Sequence, residues 1–292
     1  MIASFLRYIQ YEKRFSRHTI TSYRTDLKQF QEYLRTEYDN TPTEAADYGL
    51  VRSWIVSLSD DGLDASSINR KIASLRAFYR FLLRGEHIQK DPMQRVKGVK
   101  VKKKLPHFVK ESEMSSVIDS PVFTDDLPGR RDKLILEMLY GTGMRLSELI
   151  GLKDTDVDLR GGVLKVLGKR NKERVIPIAK PVVTAIEEYR SVRNREVDRQ
   201  EHGKLLVNNS GGPLYPLMVY RTIRKYLGPA SVEKKSPHVL RHTFATHLLN
   251  RGAEINAVKD LLGHSSLAAT QVYTHNTMEK LKKIFDQAHP KA

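Results

Sequence analysis

Cysteine is absent, which removes disulfides, thiolate zinc sites, iron–sulfur clusters and thiol nucleophiles together. Tryptophan occurs once, and no apolar run approaches the ~20 residues that a membrane span requires. The opening Met1-Ile2-Ala3-Ser4-Phe5-Leu6-Arg7 lacks the apolar stretch of a signal peptide, so a cytoplasmic chain with no membrane partner is expected. Acidic residues are also in deficit: 34 Asp and Glu stand against 50 Lys and Arg, a formal charge of +16. With 40% hydrophobic residues in a length of 292, the composition suits an ordinary globular protein of roughly two domains. A positive excess of this size calls for an acidic partner, and DNA, RNA and anionic lipid all carry the complementary charge.

The charge is concentrated. Residues 91–110 hold seven Lys or Arg against one Asp, in a stretch bounded by Pro92 and Pro106 and without helical periodicity. Residues 93–107 therefore read as a basic linker between domains. Its cations either solvate and extend a tether or follow a phosphate backbone.

Residues 1–92 read as a helical domain. Phe5, Tyr8, Ile9 and Tyr11 form one apolar stripe, and Ser16 precedes a second made by Tyr23, Leu27, Phe30 and Leu34. Val51, Trp54, Ile55 and Leu58 mark a third helix, closed by Asp60-Asp61-Gly62. A fourth, capped by Ser66 or Ser67, carries Ile68, Ile72, Leu75, Phe78, Tyr79 and Leu82. The aromatic stripes have core spacing, and Arg70, Lys71, Arg76 and Arg80 make a candidate basic face.

Beyond residue 107 the pattern mixes helices with a hairpin. A helical stripe through Leu134, Ile135, Met138 and Leu139 stops at Gly141-Thr142-Gly143, and Met144-Arg145-Leu146-Ser147-Glu148-Leu149 restarts it. Val163–Val166 and Val175–Ile178 are strand-like about a polar tip, Gly168 to Arg174. Ser236, Pro237 and Gly252 bracket a further helix as cap, first residue and terminator. In it His238 and Arg241 lie roughly 60° apart at about 100° per residue, within the first turns where free N–H groups favour an anion. A helix from Glu254 to Leu262 ends at Gly263, with His264 next and Tyr273 nine residues further on.

The residues Gly143 to Leu149, Gly168-Lys169, His238-Val239-Leu240-Arg241-His242, Leu262-Gly263-His264 and Tyr273, in this order, resemble the active-site signature of the tyrosine recombinases, most strongly the Xer type. The resemblance covers nearly the whole chain. It implies a mainly α fold: an N-terminal SAM-like core-binding domain, the basic linker, and a catalytic domain over 108–292 with a small β-sheet or hairpin. Carried over by position, Arg145 is the first catalytic arginine, Lys169 the hairpin lysine, His238 and Arg241 the His-x-x-Arg pair, His264 the second histidine and Tyr273 the nucleophile. The sequence departs from the Xer pattern at Arg170, where glycine is usual. Candidate DNA contacts are Arg17, Thr19, Arg70, Lys71, Lys100, Lys102, Lys103, Lys104, Arg170 and Lys172. The resemblance further implies a tail helix, about 277–292, exchanged between protomers of a tetramer, homomeric or shared with a second recombinase. It also allows a DNA translocase as activator.

The residue types suit that chemistry. A phosphodiester gains charge in its pentacoordinate transition state, which Arg145, Arg241 and His264 can stabilise. Tyr273 must lose its proton as it attacks, with His238 assisting, and Lys169 can protonate the leaving 5′-oxygen. Neither metal nor other cofactor is expected. The amphipathic tail bearing Met278, Leu281, Ile284 and Phe285 can also fold on its own domain. Asp154, Asp156 and Asp158 could suggest a metal nuclease but fit a polar loop. Glu148, three residues after Arg145, is expected to orient it. A mobile-element integrase and a type IB topoisomerase share the chemistry; a non-catalytic DNA-binding regulator would leave the ordered Arg, Lys, His, Arg, His and Tyr unexplained.

Overall fold

A computed structural model describes residues 1–101, 107–168, 173–197, 202–263, 282–285 and 287–290. The chain forms two compact units, Met1–Lys104 and Leu105–Ala292, mostly helical with one three-stranded antiparallel sheet. Among the described residues no helix is long and apolar enough to cross a membrane.

The first unit packs α1 (Ile2–Tyr11), α2 (Arg17–Glu37), α3 (Tyr48–Asp60) and α4 (Ala65–Arg84) around Phe5, Leu27, Phe30, Trp54, Leu75 and Phe78. The expected stripes are buried or half-buried except at Tyr11, which is 69% exposed at the end of α1. Ser16 caps α2 by accepting from the Thr19 amide at 3.2 Å. α4 starts earlier than its serines suggest, because the Asp64 carboxylate accepts from both the Ser66 and Ser67 amides and takes the cap. Part of the stretch read as linker is fastened to this bundle. Met93 and Val96 enter the core, Arg76 donates to the Val96 carbonyl at 2.9 Å, and the Asn69 side-chain amide pairs with both backbone groups of Val99 at 2.8 Å.

Inside the bundle Asp26 is fully buried and gathers three donors from α4: Arg70, Lys71 and Ser74. The Lys71 side chain is only 5% exposed, with its ammonium committed to Asp26 and Gln29. It is a buried member of an ion cluster rather than the surface cation that the sequence suggested. Its position explains this: Lys71 stands three residues after Ile68 and four before Leu75, on the face that faces the core.

The second unit is built around α6 (Leu127–Thr142), buried along nearly its whole length between α8 (Lys180–Glu196) and α10 (Pro237–Asn250). A helix covered on all sides buries more than one stripe, and α6 accordingly hides Arg131, Asp132 and Glu137 as well as Leu134, Ile135, Met138 and Leu139. α5 (Glu111–Ile118) and α9 (Pro216–Tyr226) also pack on it. The sheet runs in order β1 (Val157–Asp158), β2 (Val163–Leu167), β3 (Glu173–Pro177). The expected hairpin is present, with Val166 opposite Arg174 and Leu164 opposite Ile176. β1 is too short to leave a pattern in the sequence.

Two left-handed glycines end the helices whose terminal carbonyls anchor the arginines of the site. Gly143 (φ +59°) closes α6, and α11 (Ile255–Leu262) stops at Gly263 (φ +63°). The described tail residues lie against their own unit, where Phe285 and Ala288 join Phe244, Leu248, Val258 and Leu261 in one apolar cluster. Met278 and Leu281 lie outside the described residues.

Candidate active site

Arg145 is the N-cap of the short helix α7 (Leu146–Gly151). The third residue of that helix, Glu148, turns back on it. Its Oε2 accepts from the Arg145 amide at 2.7 Å and its Oε1 from the Arg145 guanidinium at 2.8 Å. The other arm of Arg145 donates to the Gly263 carbonyl at 3.0 Å. The side chain stays one-third exposed, at 33%, so part of its donor fork faces outward.

Arg241 approaches from α10, whose start is fixed by Ser236 and Pro237 as expected. Its two terminal nitrogens donate to the Gly143 and Leu262 carbonyls, both at 2.6 Å. Arg145 and Arg241, 96 residues apart in sequence, are thus tied to successive carbonyls at the end of α11. Burial, followed by the nearby charges of Arg145 and Arg174, lowers the Arg241 guanidinium to about 10, against a smaller opposing effect of Glu148. The guanidinium remains charged at neutral pH.

A third arginine completes the cluster. Arg174 points inward from β3 and holds Glu148 in a two-pronged pair at 2.5 and 2.8 Å. Burial opposes ionisation of Glu148, yet the bonds and charge of Arg174, then the bonds from Arg145, hold its carboxyl below the usual range. Two guanidiniums thus bond one carboxylate and a third, Arg241, lies near enough to feel its charge, an excess of positive charge in a partly dry setting that suits a phosphate.

His238 is exposed at the start of α10, on the same helix as Arg241. Its neighbour His242 is lowered below its ordinary pKa by burial and then by the charge of His238. Lys169, His264 and Tyr273 lie outside the described residues, as do Lys102, Lys103, Lys104, Arg170 and Lys172. Of the other candidate DNA contacts, Arg17 and Lys100 are exposed, and Thr19 is half-buried with its hydroxyl on Ser16 at 2.9 Å. Arg70 is 47% exposed and braced by Asp26.

The aspartates of the alternating run are all employed in structure. Asp154 pairs with Arg190 and Arg193 at 3.0 and 2.9 Å, Asp156 accepts from the Lys153 amide, and Asp158 from the Gly161 amide. Among the described residues no group of three or more His, Cys, Asp or Glu could hold a metal ion. Arg174 was not singled out by sequence reasoning. Its signal was parity: a strand that begins at Glu173 places Arg174 on the same face as Ile176, whereas a strand begun at Val175 leaves it in the turn.

Residues 108–280 match the Phage integrase family and residues 2–86 its N-terminal SAM-like domain. The chain belongs to the phage integrase family of tyrosine recombinases. Among curated members of this family, it is 40% identical to tyrosine recombinase XerC of Chlorobaculum parvum, over 99% of this chain and 94% of that one. It is 38% identical to tyrosine recombinase XerD of Staphylococcus haemolyticus, over 100% of this chain and 99% of that one. Of solved phage integrase folds, the Tn1549 transposon integrase in complex with transposon right end DNA superposes with a TM-score of 0.73, at 21% identity over 96% of this chain and 98% of that one.

Proposed function

We propose that this tyrosine recombinase is a site-specific DNA recombinase that cuts and rejoins duplex DNA through a 3′-phosphotyrosyl intermediate. The Tyr273 oxygen attacks phosphorus as the bond to the 5′-oxygen breaks. His238 assists removal of the phenolic proton, and Lys169 delivers a proton to the departing oxygen. Arg145, Arg241 and His264 stabilise the charge on the non-bridging oxygens. The bond energy stays in the phosphotyrosine, so a 5′-hydroxyl from a second duplex can reverse the step without ATP.

The observation that carries this reading is the convergence of the Arg145 and Arg241 forks on the carbonyls of Leu262 and Gly263. Full-length similarity to both XerC and XerD supports an Xer-like role, chromosome dimer resolution through a Holliday junction. In that role four protomers act, all copies of this chain or two of them a second recombinase, with a DNA translocase as the candidate activator. Exchange of the tail over residues 277–292 would link them.

The test is incubation of the full chain with nicked duplexes drawn from a pool selected for binding. A denaturation-resistant protein–DNA adduct is expected, unaffected by EDTA and absent in Tyr273→Phe. An adduct that persists in Tyr273→Phe, or cleavage that stops with chelator, overturns the reading.

A further inference from the structure

The four hydrogen bonds on Glu148 fill both of its carboxylate oxygens. Oε1 takes one N–H each from Arg145 and Arg174, and Oε2 takes the Arg145 amide and the second Arg174 nitrogen. A carboxylate has about four acceptor positions, so none remains and the group cannot rotate. Arg174 is itself held. Its side chain is 6% exposed, its Nε donates to the Leu261 carbonyl at 3.3 Å, and its stem lies where a Cβ on Gly263 would come within 2.9 Å.

Stability alone does not account for this arrangement. A buried Arg–carboxylate–Arg group is often no more stabilising than well-packed apolar side chains of similar volume. The arrangement does fix geometry, because a guanidinium fork meets a carboxylate in one plane and at one distance, which a lysine cannot reproduce. It also fixes charge. Without Arg174, Glu148 would pair with Arg145 alone and cancel its charge; with Arg174 sharing the carboxylate, Arg145 keeps a net attraction for an anion.

We infer that Arg174 is a positioning residue for DNA cleavage: by clamping Glu148 it sets the orientation and the free charge of Arg145 without touching the DNA. This rests on the recombinase reading, in which Arg145 faces a non-bridging oxygen of the scissile phosphate. Arg174 also ties β3 to the end of α11, so the strand that leads out of the hairpin and the helix that precedes residue 264 share one anchor.

The experiment compares the unaltered chain with Arg174→Met and Arg174→Lys on nicked duplexes that the unaltered chain cleaves. One duplex carries the ordinary phosphodiester and a second an uncharged methylphosphonate at the scissile position. Cleavage is measured at saturating protein, so that any change in duplex binding does not enter the comparison. Single-turnover cleavage of the phosphodiester should fall by about 10–100-fold in both variants, the size seen when a group that orients a reacting side chain is removed. On the methylphosphonate, which has no charge for Arg145 to neutralise, the variants should match the unaltered chain. A defect equal on both substrates would mark Arg174 as merely structural and overturn the proposal, as would cleavage at the unaltered rate.

Hydrogen exchange in the free protein gives an independent measurement. The Arg145 amide should exchange several-fold faster in Arg174→Met, with the melting temperature held by Arg174→Lys. Unchanged exchange overturns the clamp. Failure of the unaltered chain to cleave any duplex would instead count against the recombinase reading, and the exchange result would still decide whether Arg174 controls Arg145.

Discussion

Gly143 and Phe244 are so close that a Cβ on the glycine would come within 2.4 Å of the phenyl ring, while the carbonyl of the same glycine anchors Arg241. The backbone there is left-handed, at φ +59°. Gly143→Ala should therefore lose at least about 1–2 kcal/mol from backbone conformation alone, before any displacement of Phe244. Urea denaturation measures that loss. Single-turnover cleavage should slow as well, because the Arg241 anchor moves with residue 143, and an unchanged rate would show that Arg241 does not depend on it.

Stability should depend on pH through His247. This side chain is buried, shares a hydrogen bond with the Tyr140 hydroxyl at 2.9 Å, and also faces Glu111, Arg251 and, through Tyr140, the His289 ring. Burial pushes its imidazole below the ordinary 6.5, with Arg251 adding to this and Glu111 opposing it. The unfolded chain therefore binds the proton first. The stabilising contribution is fully present above pH 6.5 and is lost as pH falls from there through the lower folded value. Melting temperatures at pH 7.5 and 5.5 should differ less in His247→Gln, which can still accept from Tyr140 but does not titrate.

Arg70 and Lys71 are adjacent in sequence and should separate in function. Arg70→Gln is expected to reduce the salt dependence of DNA binding by about one unit of log K against log salt, the signature of one lost phosphate contact. Lys71→Met should leave that slope unchanged but lower stability, because it removes the donor to Oδ1 of the buried Asp26, whose other oxygen keeps Arg70 and Ser74. Replacing Asp26 by leucine in the Lys71→Met background should recover part of the loss in a urea titration. Equal effects on the slope would place Lys71 on the DNA.

The tail offers a fourth test. Phe285 lies fully buried among Phe244, Val258 and Leu261, and truncating a phenylalanine in such a setting costs about 3–5 kcal/mol. Phe285→Ala should loosen the tail and speed tryptic cleavage at Lys282 and Lys283, while the rest of the domain melts as before. Deleting residues 277–292 should leave a folded monomer that no longer assembles cooperatively on DNA, as judged by light scattering. Undiminished assembly would rule out the exchange.

What was legible in the sequence was local. Ser16, Ser236 with Pro237, and the glycines at 143, 252 and 263 fixed helix ends because capping and left-handed backbone are set by a few neighbouring residues. His238 and Arg241 were legible as a phosphate-binding pair for a related reason, since both fall in the first turns of a helix whose start is marked by Ser236 and Pro237, whereas Arg145 was legible only through the family resemblance and Glu148 as its neighbour three residues on. The long-range partners were not. That Arg145 and Arg241 meet on the carbonyls of residues 262 and 263 is a product of tertiary packing with no sequence pattern of its own. Arg174 was obscured by a strand boundary two residues out, which left it in the turn and off the inward face that it shares with Ile176. Lys71 was misread because its charge outweighed its position on the helix. The amphipathic tail showed that a covering surface exists, and a one-sided stripe does not say whose surface that is.

The carbonyl of Gly263 has a wider significance than its one hydrogen bond. It is the last described backbone group before residue 264, and it is also a strut of the anion cradle. A tug on the downstream polypeptide is therefore transmitted to Arg145 across a single peptide unit. A second molecule pulling there would act on the grip on phosphate without touching either arginine.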